Sequence, residues 1–271
     1  MSTRDTKLIP ATPIDTGVKD LLLGLADAAS RAVAAFDGDP GAVTGKGAYG
    51  TPTQAIDRVA EDAILRQLEY DGADLNVLSE ETGFVDRGGS RTLIVDPVDG
   101  TYNAVRGIPI YATSLAVGDR TLGSVTHGLV KDLPRGDTYY AERGKGASRN
   151  GVPLRTRRFA AKESLFSVYL GTRADPAAYD VARVARRVRS LGAAALDLCE
   201  VAAGGFDLYY ANADPSVRLR IMDIAAGVLL VREAGGVVVD PKGRELEMPV
   251  ALKARTNLVA AGDPRALEAL P

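Results

Sequence analysis

The sequence is poor in the side chains on which many enzyme and metal sites depend. Its 271 residues include one cysteine, one histidine and no tryptophan. The single cysteine, Cys199, excludes an intramolecular disulfide and every multi-cysteine zinc or iron–sulfur site. The single histidine, His127, excludes zinc sites built from several imidazoles, and we interpret both residues as structural. If the chain is an enzyme, carboxylates are its expected chemical tools.

Long hydrophobic runs are also missing, and neither sign of charge dominates. No segment reaches the roughly 18 apolar residues of a membrane span, and the first residues lack the apolar core of a signal peptide. Lysine and arginine total 33 against 35 for aspartate and glutamate, which gives a formal charge of -2. We therefore expect a cytoplasmic protein that has neither a membrane nor a nucleic acid as its partner.

The residues that are present have the composition of an ordinary globular protein. Hydrophobic residues make up 46% and charged residues 25% of the chain, which excludes disordered and fibrous classes. Apolar residues at spacings of three and four predict a helix from about Ile14 to Phe36. They predict a second helix with Thr53 as its N-cap and Leu68 as the last member of its buried stripe. Between the two helices, residues 38–50 hold five glycines and predict a long mobile loop.

The middle and end of the chain predict two further layers. Short apolar runs predict a partly antiparallel sheet with strands at Asn76–Leu78, Thr92–Val95, Tyr111–Val117, Ser124–Val130 and Asp137–Ala141. Beyond the turn at Asn150-Gly151, strands at Leu165–Leu170, Phe206–Tyr210 and Gly236–Val239 alternate with helices at Pro176–Val188, Ala193–Ala203 and Asp223–Glu233. We therefore predict an α+β domain over residues 1–153 and an α/β domain over residues 154–271, with a shared cleft.

Acidic residues are grouped at four places, namely Asp57 with Glu61 and Asp62, Glu80-Glu81, Asp96 with Asp99, and Asp223. The sharpest group is the segment Asp96–Thr101, which directly follows a buried strand. Two carboxylates three residues apart across a proline turn can converge on one point, and such charge is tolerable only beside cations. Hard oxygen ligands favour Mg²⁺ or Mn²⁺. The backbone N–H groups of Gly100 and Thr101 add a place for an anion, so a phosphate ester fits the whole segment.

Each group also has a plain structural interpretation. An isolated Asp-Pro-x-Asp-Gly is most often a turn, and Glu80-Glu81 is typical of a solvated loop end. Asp57 and Asp62 are typical of charges on a helix surface, and Asp223 is typical of an N-cap. The conjunction of all four groups favours a functional site.

Three motifs in a fixed order resemble the inositol monophosphatase family: Ser79–Gly83, Ile94–Asn103, and Met222–Gly227 followed by Glu233–Gly236. The resemblance extends from about Gly47 to Gly236. The segments Gly47–Asp57 and Asn103–Pro109 resemble the archaeal branch, which also dephosphorylates fructose 1,6-bisphosphate. The resemblance implies a layered α-β-α-β-α sandwich, a homodimer, and a metal-dependent phosphomonoesterase.

The resemblance also implies a ligand set for Mg²⁺, with Mn²⁺ as an alternative ion. Glu80, Asp96 and the carbonyl of Val98 would hold one ion, while Asp96, Asp99 and Asp223 would hold a second. A third, weaker ion would lie near Glu80 and the loop. Two ions bridged by Asp96 would clamp the phosphate for in-line attack by water.

The remaining roles implied by the resemblance concern water and substrate. Thr101 and Asp57 would orient and deprotonate the attacking water, with Glu80 as a further member of the catalytic set. Asp99 and the backbone N–H groups of Gly100 and Thr101 would contact the substrate, and Tyr169 and Ala195 would line the sugar pocket.

Two departures from the family pattern bear on ligand and substrate. Tyr49 stands in the loop where archaeal relatives commonly carry an acidic residue, so a loop ligand for the third ion would have to come from Asp37 or Asp39. Arg218 and Arg220 stand where animal relatives carry a glutamate for sugar hydroxyls. A cationic stretch suits a second phosphate, although these arginines can equally be surface or dimer-interface residues.

The leading hypothesis is a Mg²⁺-dependent phosphatase that acts on a small sugar or cyclitol phosphate, either inositol 1-phosphate or fructose 1,6-bisphosphate. The alternative within the class is a phosphatase for adenosine 3',5'-bisphosphate, which would need a base pocket built from tyrosine and phenylalanine. The alternative from another class is a catalytically silent binding protein.

Overall fold

The computed structural model describes residues 16–271, which contain six α-helices and seventeen β-strands. The helices are α1 (Thr16–Ala35), α2 (Ala55–Tyr70), α3 (Thr101–Val105), α4 (Pro176–Val184), α5 (Ala194–Ala202) and α6 (Ile221–Glu233). The first ten strands are β1 (Val43–Lys46), β2 (Pro52–Gln54), β3 (Asn76–Ser79), β4 (Gly83–Val85), β5 (Thr92–Asp99), β6 (Ala112–Gly118), β7 (His127–Asp132), β8 (Thr138–Glu142), β9 (Gly146–Arg149) and β10 (Val152–Pro153). The others are β11 (Leu165–Val168), β12 (Arg187–Arg189), β13 (Leu208–Ala211), β14 (Leu219–Arg220), β15 (Val237–Val239), β16 (Arg255–Thr256) and β17 (Leu258–Ala261).

Five layers stack on one another in the order helix, sheet, helix, sheet, helix. The larger sheet has eight strands in the order β10-β9-β8-β7-β6-β5-β3-β4, and the smaller has five in the order β12-β11-β13-β17-β15. Helices α1 and α2 cover the outer face of the larger sheet, α5 and α6 lie between the sheets, and α4 covers the outer face of the smaller one. The predicted α-β-α-β-α sandwich is therefore confirmed.

The helices differ in apolar pattern according to the layer that they occupy. Helix α1 buries Val18, Leu22, Leu25 and Ala29, at the spacing of one helical face. Helix α6 instead buries ten of its 13 residues. A helix that is apolar all round belongs between two sheets, and α6 contacts strands of both. No helix of residues 16–271 combines the length and apolar character needed to cross a membrane.

The sheet topology places the ends of two strands side by side. Strand β3 runs parallel to β5, with Ser79 opposite Val95. The residues that follow, Glu80 and Asp96, therefore lie next to each other at one edge of the larger sheet. The neighbouring strand pairs from β5 to β10 are antiparallel, so the predicted partly antiparallel sheet is confirmed.

The structure corrects the loop and helix start that were predicted before α2. The predicted loop of residues 38–50 contains β1, which pairs with β2 as an antiparallel hairpin. The predicted N-cap Thr53 is wrong, because Gln54 precedes the first helical residue. The hydroxyl of Thr53 instead donates to the buried carboxylate of Glu81.

The predicted helix Pro176–Val188 is wrong at its end. Helix α4 stops at Val184, and residues Arg187–Arg189 form β12, which pairs in parallel with β11. Within β12, Val188 packs against the smaller core while both arginines are exposed, which is the alternation of a strand.

The two sheets occupy separate stretches of the chain. Strand β10 ends the larger sheet at Pro153, and the smaller sheet begins with β11 at Leu165. One core cluster joins strands of both sheets through α5 and α6. The division into domains at residue 153 stays a prediction. The first helix was predicted from Ile14, and residues 14 and 15 lie outside the described part of the chain.

Candidate active site

Three structural elements bring carboxylates together at the edge of the larger sheet. Glu80 follows β3, Asp96 lies on β5, and Asp223 lies in the first turn of α6. One oxygen from each of these carboxylates lies within 4.8 Å of the others. The structure therefore places three of the predicted ligands where a single cation could contact them all.

Asp99 reaches the same region because β5 is irregular at its end. The pairing of β5 with β6 shifts register between Asp96 and Asp99. Asp99 Oδ2 accepts a hydrogen bond from the backbone N–H of Ala195 at 2.7 Å. Gly100 follows with φ of 85°, and a Cβ there would lie 2.9 Å from the carbonyl oxygen of Ile110. Only glycine fits this left-handed position without strain, and the chain turns there into α3.

These interior carboxylates are poorly compensated by charge. Asp96 is 3% exposed, and its pKa lies well above the usual value. Burial is the largest cause of this rise, and repulsion from Asp99 and Asp223 adds to it. Burial and then Asp223 raise the pKa of Asp99 to about 8. Burial raises the pKa of Asp223, while the nearby Arg220 acts in the opposite direction. Among the ion pairs of residues 16–271, none reaches Asp96 or Asp99.

Such a group of oxygen donors, with Asp96 buried and the others partly exposed to the cleft, fits a hard divalent cation. Without added positive charge, burial favours the protonated forms of these acids. Mg²⁺ and Mn²⁺ prefer carboxylate and carbonyl oxygens, and the donors here include no sulfur or imidazole. The charge and chemistry of the donor set therefore match the metal that the resemblance implies.

Arg220 is the cation at the rim of this cluster. Its guanidinium forms an ion pair with Glu80. Its backbone N–H donates to Asp223 Oδ2 at 2.8 Å, which caps the start of α6. Asp223 thus serves as a helix-capping residue and also lies in the carboxylate cluster.

Thr101 and Asp57 form a hydrogen-bonded pair beside the cluster. Thr101 Oγ1 lies 2.9 Å from Asp57 Oδ1 and 2.8 Å from the carbonyl oxygen of Val98. A hydroxyl has one proton, so it donates to one of these oxygens at a time. Burial raises the pKa of Asp57 to about 7; the hydrogen bond from Thr101 opposes this rise and the charge of Glu81 adds to it. A carboxylate with that pKa can accept a proton near neutral pH.

The acidic neighbours Glu61 and Glu81 have structural contacts. Glu61 is fully buried, and it accepts hydrogen bonds from Ser79 and from the backbone N–H of Thr82. Glu81 accepts a hydrogen bond from Thr53. The bonds of Glu61 join α2 to the end of β3, and the bond of Thr53 joins β2 to the same segment, so together they fix Asp57 relative to Glu80.

A cleft of about 710 Å³ contains the cluster. Its lining residues are Tyr49, Thr51, Glu80, Asp96, Val98, Asp99, Gly100, Thr101, Tyr102, Gly192, Ser216, Val217, Arg218, Arg220, Asp223 and Arg255. Four carboxylates and three guanidinium groups therefore face the same space. An anionic ligand can meet the guanidinium groups there while cations offset the carboxylates.

The structure brings most, but not all, of the predicted site residues to this cleft. Arg218 and Arg220 line it, whereas Tyr169, Ala195 and the buried Asp57 do not. Ala195 is fully buried and contributes its backbone N–H to Asp99. Sequence reasoning missed Arg255, which lies on the short strand β16 and has no motif around it.

The two scarce residues lie away from the cleft. His127 is buried on β7, and its Nδ1 lies 2.9 Å from Thr126 Oγ1. Cys199 is fully buried on α5, and burial raises the pKa of its thiol. Both positions agree with the structural interpretation.

Comparison with known proteins relates this arrangement to a family. The sequence pattern of the inositol monophosphatase family matches residues 19–270. A fructose-1,6-bisphosphatase/inositol-1-monophosphatase of Methanothermobacter thermautotrophicus is 40% identical over 261 residues, which cover 90% of this chain and 92% of the relative. A protein of the same description from Thermococcus kodakarensis is 39% identical, with 83% of this chain and 84% of the relative covered.

Solved structures agree with the sequence comparisons. A crystal structure described as inositol monophosphatase–fructose 1,6-bisphosphatase superposes with a TM-score of 0.82 at 27% identity. The superposition covers 93% of this chain and 97% of the other.

Proposed function

The chain belongs to the inositol monophosphatase family of metal-dependent phosphatases, and we propose that its substrates are inositol 1-phosphate and fructose 1,6-bisphosphate. One observation carries the proposal: the carboxylate cluster of Glu80, Asp96 and Asp223 shares its cleft with Thr101, whose hydroxyl is hydrogen-bonded to Asp57. A phosphatase of this type needs a metal site and a group that accepts a proton from water, and Asp57 can take that proton through Thr101.

The ligand assignment is the one that the family resemblance implies, and the carboxylate cluster supports it. Glu80, Asp96 and the carbonyl of Val98 would hold one Mg²⁺, and Asp96, Asp99 and Asp223 would hold a second. Bound divalent cations supply acidification of water and neutralisation of phosphate charge. The hairpin β1–β2 carries no carboxylate, so a third ion beside Glu80 would lack a ligand from that hairpin.

Protein groups then perform the proton transfer. Asp57 accepts the hydrogen of the Thr101 hydroxyl, which leaves the lone pairs of Thr101 Oγ1 to accept a hydrogen bond from water. As water loses its proton, Thr101 passes a proton to Asp57, and the pKa of about 7 suits this task. The backbone N–H groups of Gly100 and Thr101 would hold phosphate oxygens where α3 begins.

The arginines of the cleft favour a substrate with a second anionic group. Arg218, Arg220 and Arg255 face the same cleft as the acidic cluster. A guanidinium group binds phosphate with two parallel hydrogen bonds, whereas an uncharged diol offers no charge to match it. Fructose 1,6-bisphosphate therefore uses this side of the cleft more fully than inositol 1-phosphate does.

The proposal is tested by phosphate release from inositol 1-phosphate, fructose 1,6-bisphosphate and adenosine 3',5'-bisphosphate, each with Mg²⁺, with Mn²⁺ and with EDTA. We expect metal-dependent turnover of the first two. We also expect Arg218→Gln to raise KM for fructose 1,6-bisphosphate at least about fivefold more than for inositol 1-phosphate. Turnover of the nucleotide alone would overturn the substrate assignment, and no turnover of any of the three would favour a binding protein. The homodimer implied by the resemblance stays a prediction, which the molar mass in solution would test.

A further inference from the structure

The hairpin β1–β2 lies against the cleft and is attached to the protein at its tip. The backbone N–H of Gly47 donates to the carbonyl of Thr51 at 2.9 Å, which closes the turn. The N–H of Ala48 reaches the carbonyl of Glu80 at 3.3 Å. Tyr49, which lies between Ala48 and Thr51 in the tip of the hairpin, is half-buried and lines the cleft. The hairpin thus contacts a residue of the acidic cluster directly.

Tyr49 makes the largest set of contacts in the tip. The centroid of its ring lies 4.6 Å from the guanidinium carbon of Arg220 and 4.4 Å from that of Arg255. Its hydroxyl donates to the carbonyl of Leu252. Arg255 donates to the same carbonyl at 3.2 Å, so the phenol and the guanidinium share an acceptor.

The two arginines are held on a common support. Arg220 lies on β14 and Arg255 on β16, and the antiparallel pairing of these strands places the two residues opposite each other. Arg220 is further fixed by its ion pair with Glu80, and Arg255 by a hydrogen bond to the carbonyl of Ala254 at 3.0 Å. The Tyr49 ring therefore packs on the guanidinium groups of two paired strands.

The other end of the hairpin leads straight into catalytic machinery. Strand β2 ends at Gln54, and α2 begins at the next residue. Asp57 lies in the first turn of α2, where it bonds to Thr101. Thr53, on the same strand, is bonded to Glu81. A displacement of the hairpin would therefore move the start of α2 and, with it, the carboxylate of Asp57.

We propose that Tyr49 is a positioning residue that fastens the hairpin β1–β2 to β14 and β16 through protein contacts alone, and that it thereby keeps Asp57 against Thr101. Arg255 is its partner in this role. Because the contacts described above join protein groups, we expect the hairpin to stay closed when metal ions are removed. The structural part of the proposal is independent of the reaction, whereas its consequence for turnover rests on the proposed function.

Amide hydrogen exchange of residues 43–54 tests the structural part. In EDTA, we expect the wild-type hairpin to be protected, and Tyr49→Ala to speed exchange of these amides at least about tenfold. Tyr49→Phe keeps the ring and loses only the bond to Leu252, so a smaller increase is expected, and Arg255→Gln should fall between the two. Tyr70→Ala is the matched control, because Tyr70 is 87% exposed at the end of α2.

Two results would overturn the structural part. One is unchanged exchange of the hairpin in Tyr49→Ala. The other is a wild-type hairpin that exchanges freely in EDTA and becomes protected only when Mg²⁺ is added, which would assign its closure to the metal.

Steady-state kinetics test the positioning role. We expect Tyr49→Ala to lower kcat about tenfold for both substrates, and Tyr49→Phe to restore most of the loss. In an Asp57→Asn background, Tyr49→Ala should have little further effect on kcat, because Tyr49 acts through Asp57. Full additivity of the two substitutions would contradict the positioning role. Absence of turnover in the wild type would overturn the proposed function and leave the exchange result standing.

Discussion

Replacing Asp99 by asparagine should stabilise the metal-free protein, although Asp99 is partly buried and hydrogen-bonded. Asparagine keeps an oxygen that can accept from the N–H of Ala195, at 2.7 Å in this structure. It removes one negative charge from a group in which burial and the charge of Asp223 raise the pKa of Asp99 from 3.8 to about 8. Most substitutions at buried polar positions destabilise, so the expected sign is unusual.

The pKa shift of Asp99 sets an upper bound on how much the substitution can raise the free energy of unfolding. A rise from 3.8 to about 8 corresponds to roughly 6 kcal/mol between the two protonation states. Relaxation and water penetration reduce such penalties, and the new amide group needs an acceptor, so we expect a gain on the order of 1–2 kcal/mol. For a protein of this size, that gain raises the melting temperature by about 2–6 °C.

The stability gain of the Asp99→Asn variant should increase with pH. The folded-state pKa of Asp99 is higher than that of the unfolded chain, so the wild type loses stability as pH rises from about 4 to about 8. At a pH below the pKa of Asp99 in the unfolded chain, Asp99 is protonated in both the folded and the unfolded protein, and asparagine no longer gives an advantage in stability. The advantage of the Asp99→Asn variant should therefore be larger at pH 8 than at pH 5.

Thermal unfolding followed by circular dichroism provides the assay. Wild type and Asp99→Asn are compared in EDTA at both pH values and then with Mg²⁺, with Asp119→Asn as the control because the side chain of Asp119 is 59% exposed. Added Mg²⁺ should stabilise the wild type and Asp119→Asn much more than Asp99→Asn. A metal-free Asp99→Asn that melts below wild type at pH 8, or equal stabilisation of all three by Mg²⁺, would refute the reasoning.

Three further predictions concern the turn and the proton relay. Asp57→Asn and Thr101→Val should each lower kcat by about 10²–10⁴-fold, and normal phosphate release by either variant would contradict their roles. The double variant should have a kcat only slightly below that of either single variant, because the two residues act through one hydrogen bond at 2.9 Å. Additive losses of kcat would argue for separate roles. Gly100→Ala should lower the free energy of unfolding by about 1–3 kcal/mol, because φ of Gly100 is 85° and the new Cβ would meet the carbonyl of Ile110. Denaturant titrations measure this change, and an unchanged unfolding midpoint would contradict the expected strain.

Local sequence signals placed Glu80 and Asp96 at the ends of strands, and the family resemblance added Asp223 to the ligand set. Glu80 and Asp96 each follow a short apolar run, and strands that run in parallel end at the same edge of a sheet. The segment Asp96–Thr101 also carries its own geometry, because proline and glycine bend the backbone there. Asp223 joins Glu80 and Asp96 only because α6 packs against the larger sheet, which is a contact between distant segments.

Other features depend on pairing between distant segments and left no local signal. Arg255 enters the cleft because β16 pairs with β14, and each of these strands has only two residues. The residues of β12 were predicted as helix because they continue the helical pattern that precedes them. In the folded chain they pair with β11 instead, so the tertiary contact decides their structure. Tyr49 was singled out as a departure from the family pattern, but its contacts with two arginines appear only in the folded chain.

We expect the carboxylates of the cleft to hold the divalent ions on which phosphate release depends. Phosphate release from inositol 1-phosphate and fructose 1,6-bisphosphate, measured across a Mg²⁺ titration for wild type and Asp96→Asn, tests this expectation most directly. We expect saturable activation of the wild type by Mg²⁺, loss of activity in EDTA, and no Mg²⁺-dependent release by an Asp96→Asn variant that keeps the wild-type circular dichroism spectrum. A folded Asp96→Asn variant with the wild-type rate and Mg²⁺ dependence would contradict it.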